Sequence, residues 1–148
     1  KLICTDINKP LLEDNKSRMD HFDNIEYHYH DFRESSYPNK VDGVYLVDVI
    51  EHIFQDEEPG FLTNIVASLN DNGICLIGTP NITADKYANE YSREGHVNLK
   101  DHESLKMIGE KYFYKSFMFG MNDEVVHSGF PQMAHFLWLL CVNPKISD

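Results

Sequence analysis

Short apolar runs alternating with helical stretches restrict the fold of this chain more than any other feature. "KLICTDI" (1–7) and "IEYHYH" (25–30) stop at Asp6 and Asp31. "VDGVYLVDVI" (41–50) carries Asp48 near its end, and "ICLIGT" (74–79) stops at Pro80. The longer runs are nearly continuous in Val, Ile, Leu and Tyr, the pattern of strands buried in a parallel sheet. Between them, "NKPLLEDNKSRMDHF" predicts a helix capped by Asn8 with Pro10 in its first turn. "DEEPGFLTNIVASL" predicts a second, its acids lying at the positive end of the helix dipole. "NDNG" predicts a turn into the fourth strand.

This order predicts βαβ units: a Rossmann-like α/β fold, mostly parallel, with helices on both faces. "LKDHESLKMIGEKY" predicts a further helix. "FYKSFMFGM" and "MAHFLWLLCVN" predict two closing strands, joined by the long loop "NDEVVHSGFPQ", that form an antiparallel C-terminal edge. Residues 80–100 have no clear period, and a polar loop of that length inside a compact domain is usually functional.

At 148 residues and 42% hydrophobic, the chain suffices for a single domain with its own core, residues 1–148. A net charge of −11 with no basic run disfavours nucleic acid as a partner. The longest apolar stretch, "AHFLWLLCV", is too short to span a bilayer, so no membrane partner is expected. Cys4, Cys75 and Cys141 sit in apolar runs without paired spacing, as buried thiols of a cytoplasmic protein do. The chain opens on Lys1 inside a strand, which reads as a partial domain cut from a longer protein.

Parallel sheets bind ligands beyond the carboxyl ends of their strands, so the residues there carry the functional reading. Asp6 either accepts the hydroxyls of a ribose or caps the following helix. Asp31 either accepts a hydrogen bond from an exocyclic amine such as that of adenine or is a turn residue, and Phe32 beside it is placed to pack on a base. Glu51 and His52 read as a helix start with Glu51 facing the dipole, as part of a ligand crevice, or as metal ligands. No metal ligand is assigned, because His52 has no histidine at i+4. His28 and His30 flank Tyr29 and read as polar strand residues rather than a metal pair. His96 either contacts substrate and removes its proton or stabilises the 80–100 loop. His127 is a weaker substrate-side candidate, and Trp138 is expected in the core.

Together these stretches resemble class I S-adenosylmethionine-dependent methyltransferases, especially the branch that includes the ubiquinone-biosynthesis O-methyltransferases. Asp6 matches the acid ending that family's second strand, and Asp31 the acid after its third. Val49, Ile50, Glu51, His52 and Ile53 match its hydrophobic-hydrophobic-Glu-His-hydrophobic signature. Asn72 and Gly73 match the turn before its fifth strand, and Thr79, Pro80 and Asn81 the end of that strand. "GHVNLKDHESLKMIGEKYF" is similar to the segment leading into its last helix.

The resemblance implies S-adenosylmethionine as cofactor, bound by Asp6, Ile7, Asp31, Phe32, Val47, Asp48 and His52, with Val47 and Asp48 nearest the methionine part. It implies a small-molecule acceptor under the 80–100 loop, with His96 as the catalytic residue. The family's first strand and Gly-rich loop are absent, and no G-x-G occurs. The resemblance therefore implies an N-terminally truncated domain, inactive alone, with a strand missing between those ending at Asp6 and near Asp48. Those two strands are expected to pair directly, to accept a strand from another chain, or to be covered in a homo-oligomer. The competing functions are a non-catalytic binding or scaffold domain and a nicotinamide-dependent oxidoreductase.

Overall fold

The computed structural model describes residues 1–145. β1 (Leu2–Asp6) leads through α1 (Lys9–Arg18) to β2 (Ile25–Tyr29), and the two strands pair in parallel. α1 starts as expected: the Asn8 side chain accepts from the Leu11 amide at 3.1 Å, and Pro10 occupies the first turn. β3 (Val41–Val47) is followed by α2 (Glu58–Ala67) and by β4 (Leu69–Pro80), which runs parallel to β3. Then come α3 (Glu90–Gly95), α4 (His102–Tyr112), β5 (Phe113–Asn122), β6 (Val125–His127) and β7 (Phe136–Pro144). β3, β4, β7, β5 and β6 form one sheet in that order, and β7 runs antiparallel to both neighbours, the expected C-terminal edge.

The core lies where α2 and α4 cover this sheet. Phe61, Leu62, Ile65 and Val66 of α2 and Leu105 and Ile108 of α4 pack on Leu46, Cys75, Ile77, Leu139 and Cys141. Each such side chain stabilises the fold by about 1.5–3 kcal/mol when fully buried. Burial also pushes the Cys141 thiol up to about 12, so it packs as a small apolar group. By contrast, Leu12 is the only buried apolar residue among β1, α1 and β2. Among the described residues, no helix is long and apolar enough to cross a membrane.

Five expectations are corrected. "NDNG" is not a turn between elements but part of β4. The pairing steps from Val41 beside Leu69 to Gly43 beside Ile74, so the extra residues are absorbed as a strand irregularity. Residues 80–100 are not structureless: a 3-10 helix spans Ile82–Tyr87 and α3 follows, each opened by an asparagine cap, Asn81 and Asn89. The loop before the last strand contains β6, paired with β5. Glu51 does not start α2; it lies in a 3-10 turn, Ile50–His52, well ahead of Glu58.

Finally, of the three arrangements expected for β1 and β3, direct pairing is not found. Among the described residues β1 pairs only with β2, and β3 only with β4, so each keeps one edge without a strand partner. The stretch after β2 is fastened to α2 instead: Asn64 donates to the Phe32 carbonyl at 2.8 Å, and Ser68 Oγ accepts from the Tyr37 amide at 2.8 Å. The exit of β2 is thereby committed before β3 begins.

Candidate functional site

Parallel pairing puts Asp6 and Asp31 at one end of the β1–β2 sheet. Asp6 lies beside Tyr29, and its carbonyl accepts from the His30 amide at 3.3 Å. Asp6 Oδ1 accepts from the Asn8 amide at 2.7 Å. Asp6 thus closes a turn ahead of the Asn8 cap rather than capping α1 itself, and its other oxygen has no hydrogen bond among the described residues. Ile7, next to it, is exposed. Asp31 is gripped by Arg33, whose Nη2 donates to Oδ2 at 2.7 Å and whose amide donates to Oδ1 at 2.9 Å. That guanidinium holds the carboxyl below the usual carboxylate range. Phe32 turns its ring edge-on to His30 at 4.5 Å and to Phe61 at 6.3 Å, between β2 and α2.

The end of β3 is shaped differently. Val47 is half-exposed, and Asp48 adopts a left-handed backbone with φ of 53° while its amide donates to the Gly78 carbonyl at 3.1 Å. Asp tolerates that conformation better than most side chains. The reversal swings the chain across the end of β4. Ile50 and Glu51 are thereby driven inward, and Glu51 ends fully buried beneath Thr79.

Glu51 then meets two imidazoles. Its Oε2 accepts from the Thr79 hydroxyl at 3.1 Å, while Oε1 is buried without a hydrogen-bond partner. Desolvation pushes the Glu51 pKa up. His52 Nδ1 lies 2.8 Å from the Gly95 carbonyl. That carbonyl can only accept, so Nδ1 carries the proton and Nε2 keeps a lone pair. Nε2 lies 4.0 Å from Glu51 Oε1. The His96 ring sits 5.3 Å from the His52 ring. One ligand atom from each of Glu51, His52 and His96 lies within 4.8 Å of the others, a spacing that one cation can bridge.

His96 also lines a cavity of about 340 Å³ between the end of β4 and the 82–96 cover, with Pro80, Ala84, Tyr87, Ala88 and Leu99. Asn81, almost fully buried, fixes that cover: its side chain donates to the Pro131 and Ala134 carbonyls at 2.9 and 2.8 Å and accepts from the Thr83 amide at 3.2 Å.

The structure thus joins His52 to His96 and Asp6 to Asp31. No hydrogen bond among the described residues links the Asp6–Asp31 end to Asp48 or His52. Sequence reasoning missed Glu51 as a buried anchor and Thr79 as its partner. The signal was there: a lone acid inside "VIEHI" follows two apolar residues, with a third apolar residue two places on.

No family model matches the chain, and no curated protein matches it. Solved structures do. The chain is similar to the N-methyltransferase NodS from Bradyrhizobium japonicum WM9 in complex with S-adenosyl-L-homocysteine, with a TM-score of 0.71, 14% identity, and coverage of 98% of this chain and 67% of that one. It is similar to a TehB-like SAM-dependent methyltransferase from Corynebacterium glutamicum, with a TM-score of 0.68, 16% identity, and coverage of 97% and 67%. It is also similar to the CurJ carbon methyltransferase, with a TM-score of 0.69, 12% identity, and coverage of 95% of this chain but 41% of that one.

The fold is that of class I S-adenosylmethionine-dependent methyltransferases. At these identities the likeness is one of fold. The unpaired edges of β1 and β3 are those between which the methyltransferase resemblance puts a central strand.

Proposed function

We propose that the chain is a methyltransferase domain that takes S-adenosylmethionine at the ends of β1, β2 and β3 and a small-molecule acceptor under the 82–96 cover. The observation that carries this reading is the parallel β1–β2 pair, which sets the open oxygen of Asp6 and the carboxylate of Asp31 at one carboxyl end. Asp6 fits a ribose hydroxyl, and Asp31 with Ile7 and Phe32 fits the base side. Val47, Asp48 and His52 border the methionine side. The cofactor supplies an electrophilic methyl group on a sulfonium. The protein's task is then to align the acceptor in line with it and to exclude water. His96, at the cavity wall, takes the acceptor's proton as the new bond forms.

Alternatively, Glu51, His52 and His96 fit a divalent cation, which would polarise an acceptor oxygen at that wall, with His96 then serving as a ligand and not as the base. The buried Glu51 oxygen without a partner supports this, as does the Gly95 carbonyl that orients His52 from behind.

Calorimetric titration with S-adenosylhomocysteine tests the cofactor half. Asp6→Ala should weaken binding by about 1.5–3 kcal/mol, the scale of a charge-assisted hydrogen bond, and His96→Ala should leave it near normal. Unchanged affinity in Asp6→Ala removes Asp6 from the site. A second reading, a binding domain without catalysis, is favoured by the absence of any G-x-G and by the unpaired sheet edges. S-adenosylhomocysteine binding with no methyl transfer to any acceptor decides for it.

A further inference from the structure

We infer that Glu58, Asn98 and Lys100 form a positioning network that sets His96 against Glu51 and His52; the inference rests on reading that cluster as a cation site. The three groups close a ring. Lys100 Nζ donates to Glu58 Oε2 at 2.6 Å and to Asn98 Oδ1 at 2.7 Å, and Asn98 Nδ2 donates to the same Glu58 oxygen at 2.7 Å. The Lys100 and Glu58 side chains are only 8% and 15% exposed. Burying an ion pair is a poor way to add stability, because desolvation offsets most of the attraction. Such a pair is better explained by the single geometry it enforces.

The geometry enforced here is that of the segment carrying His96. Gly95 is held by His52 at 2.8 Å, the Asn98 amide donates to the Glu51 carbonyl at 3.0 Å, and the Lys100 carbonyl accepts from the Ile82 amide at 2.9 Å. His96 lies between the first two of these ties. The segment also lines open space. It borders a cavity of about 630 Å³, lined by Gln55, Glu58, Ser104, Met107 and Lys111. The polar ring adds buried side-chain ties to those backbone bonds and fixes the segment against Glu58 at the start of α2. A slip of one residue moves a side chain by about 3.5 Å, whereas an imidazole nitrogen must come within about 2.1 Å of a metal. The network therefore acts through His96 and touches neither cofactor nor acceptor.

The test is Mn²⁺ affinity of the full chain, measured with S-adenosylhomocysteine affinity and urea unfolding on the same samples. Glu58→Ala should lose about tenfold in Mn²⁺ affinity, the low end of the cost of removing a ligand's direct partner, because Glu58 reaches His96 only through Asn98 and Lys100. Glu58→Gln keeps an acceptor oxygen for both donors and should stay within about threefold of wild type. S-adenosylhomocysteine affinity should be unchanged in both. Should Glu58→Ala not fold, the apolar pair Glu58→Met with Lys100→Met replaces the ring and should show the same loss of Mn²⁺ affinity. A folded Glu58→Ala or double variant that binds Mn²⁺ like wild type overturns the inference. Wild-type protein that binds no Mn²⁺ overturns the cation reading and this inference with it, and leaves the cofactor reading to its own titration.

Discussion

Asp31 and Arg33 form an ion pair after β2 whose contribution to stability depends on pH. The guanidinium lowers the folded-state pKa of Asp31 below its unfolded value of about 3.9. A carboxyl depressed on folding stabilises the native state above the unfolded pKa, and that contribution is lost as pH falls through the folded pKa. Arg33 is partly exposed, so solvent screens the pair and the effect is small. Arg33→Gln should therefore flatten the fall in stability below about pH 4, measured as urea midpoints across pH. An identical acid limb in the variant would mean that the pair contributes nothing. Asp31 was legible from the sequence because it follows an apolar run; its grip by Arg33, two residues on, was not, because a turn had to bring them face to face. Glu51 was legible as a position and misjudged as a helix start. A left-handed Asp48 intervenes, and nothing in "LVDVIEH" announces a positive φ at a residue other than glycine.

At the scale of elements, the apolar runs of β4 and β7 were legible because burial demands them, whereas β1 and β2 form strands without a buried residue. β4 and β7 meet along most of their length, with Gly78 beside Trp138, where a Cβ would lie 2.5 Å from the Trp138 ring. Gly78→Ala should cost about 1–3 kcal/mol as an overpacked site, with a change in Trp138 fluorescence. Wild-type stability in that variant would show that the ring can move aside. The helices over residues 82–95 were not legible, because six-residue pieces are too short to show a period and rest on their asparagine caps. The Glu51–His52–His96 cluster was hidden for a related reason. The i+4 rule searches one helix for ligand pairs, whereas His96 arrives from a distant segment that only the folded chain brings alongside.

At the scale of the molecule, the sheet is divided. The five-stranded part carries the core, while the β1–α1–β2 unit keeps Leu12 alone buried and pairs with no strand of the five-stranded part. Few buried apolar contacts mean low local stability. Native-state hydrogen exchange should accordingly find β1 and β2 amides less protected than those of β4 and β7, and equal protection would mean that another chain or a second copy completes the sheet. The central claim is that the ends of β1, β2 and β3 hold the cofactor, and amide chemical shifts during titration with S-adenosylhomocysteine test it most directly. Saturable shifts should concentrate at Asp6 to Asn8, His30 to Phe32 and Val47 to His52. Shifts confined to the β5–β6–β7 edge, or no saturable shift in the millimolar range, would contradict it.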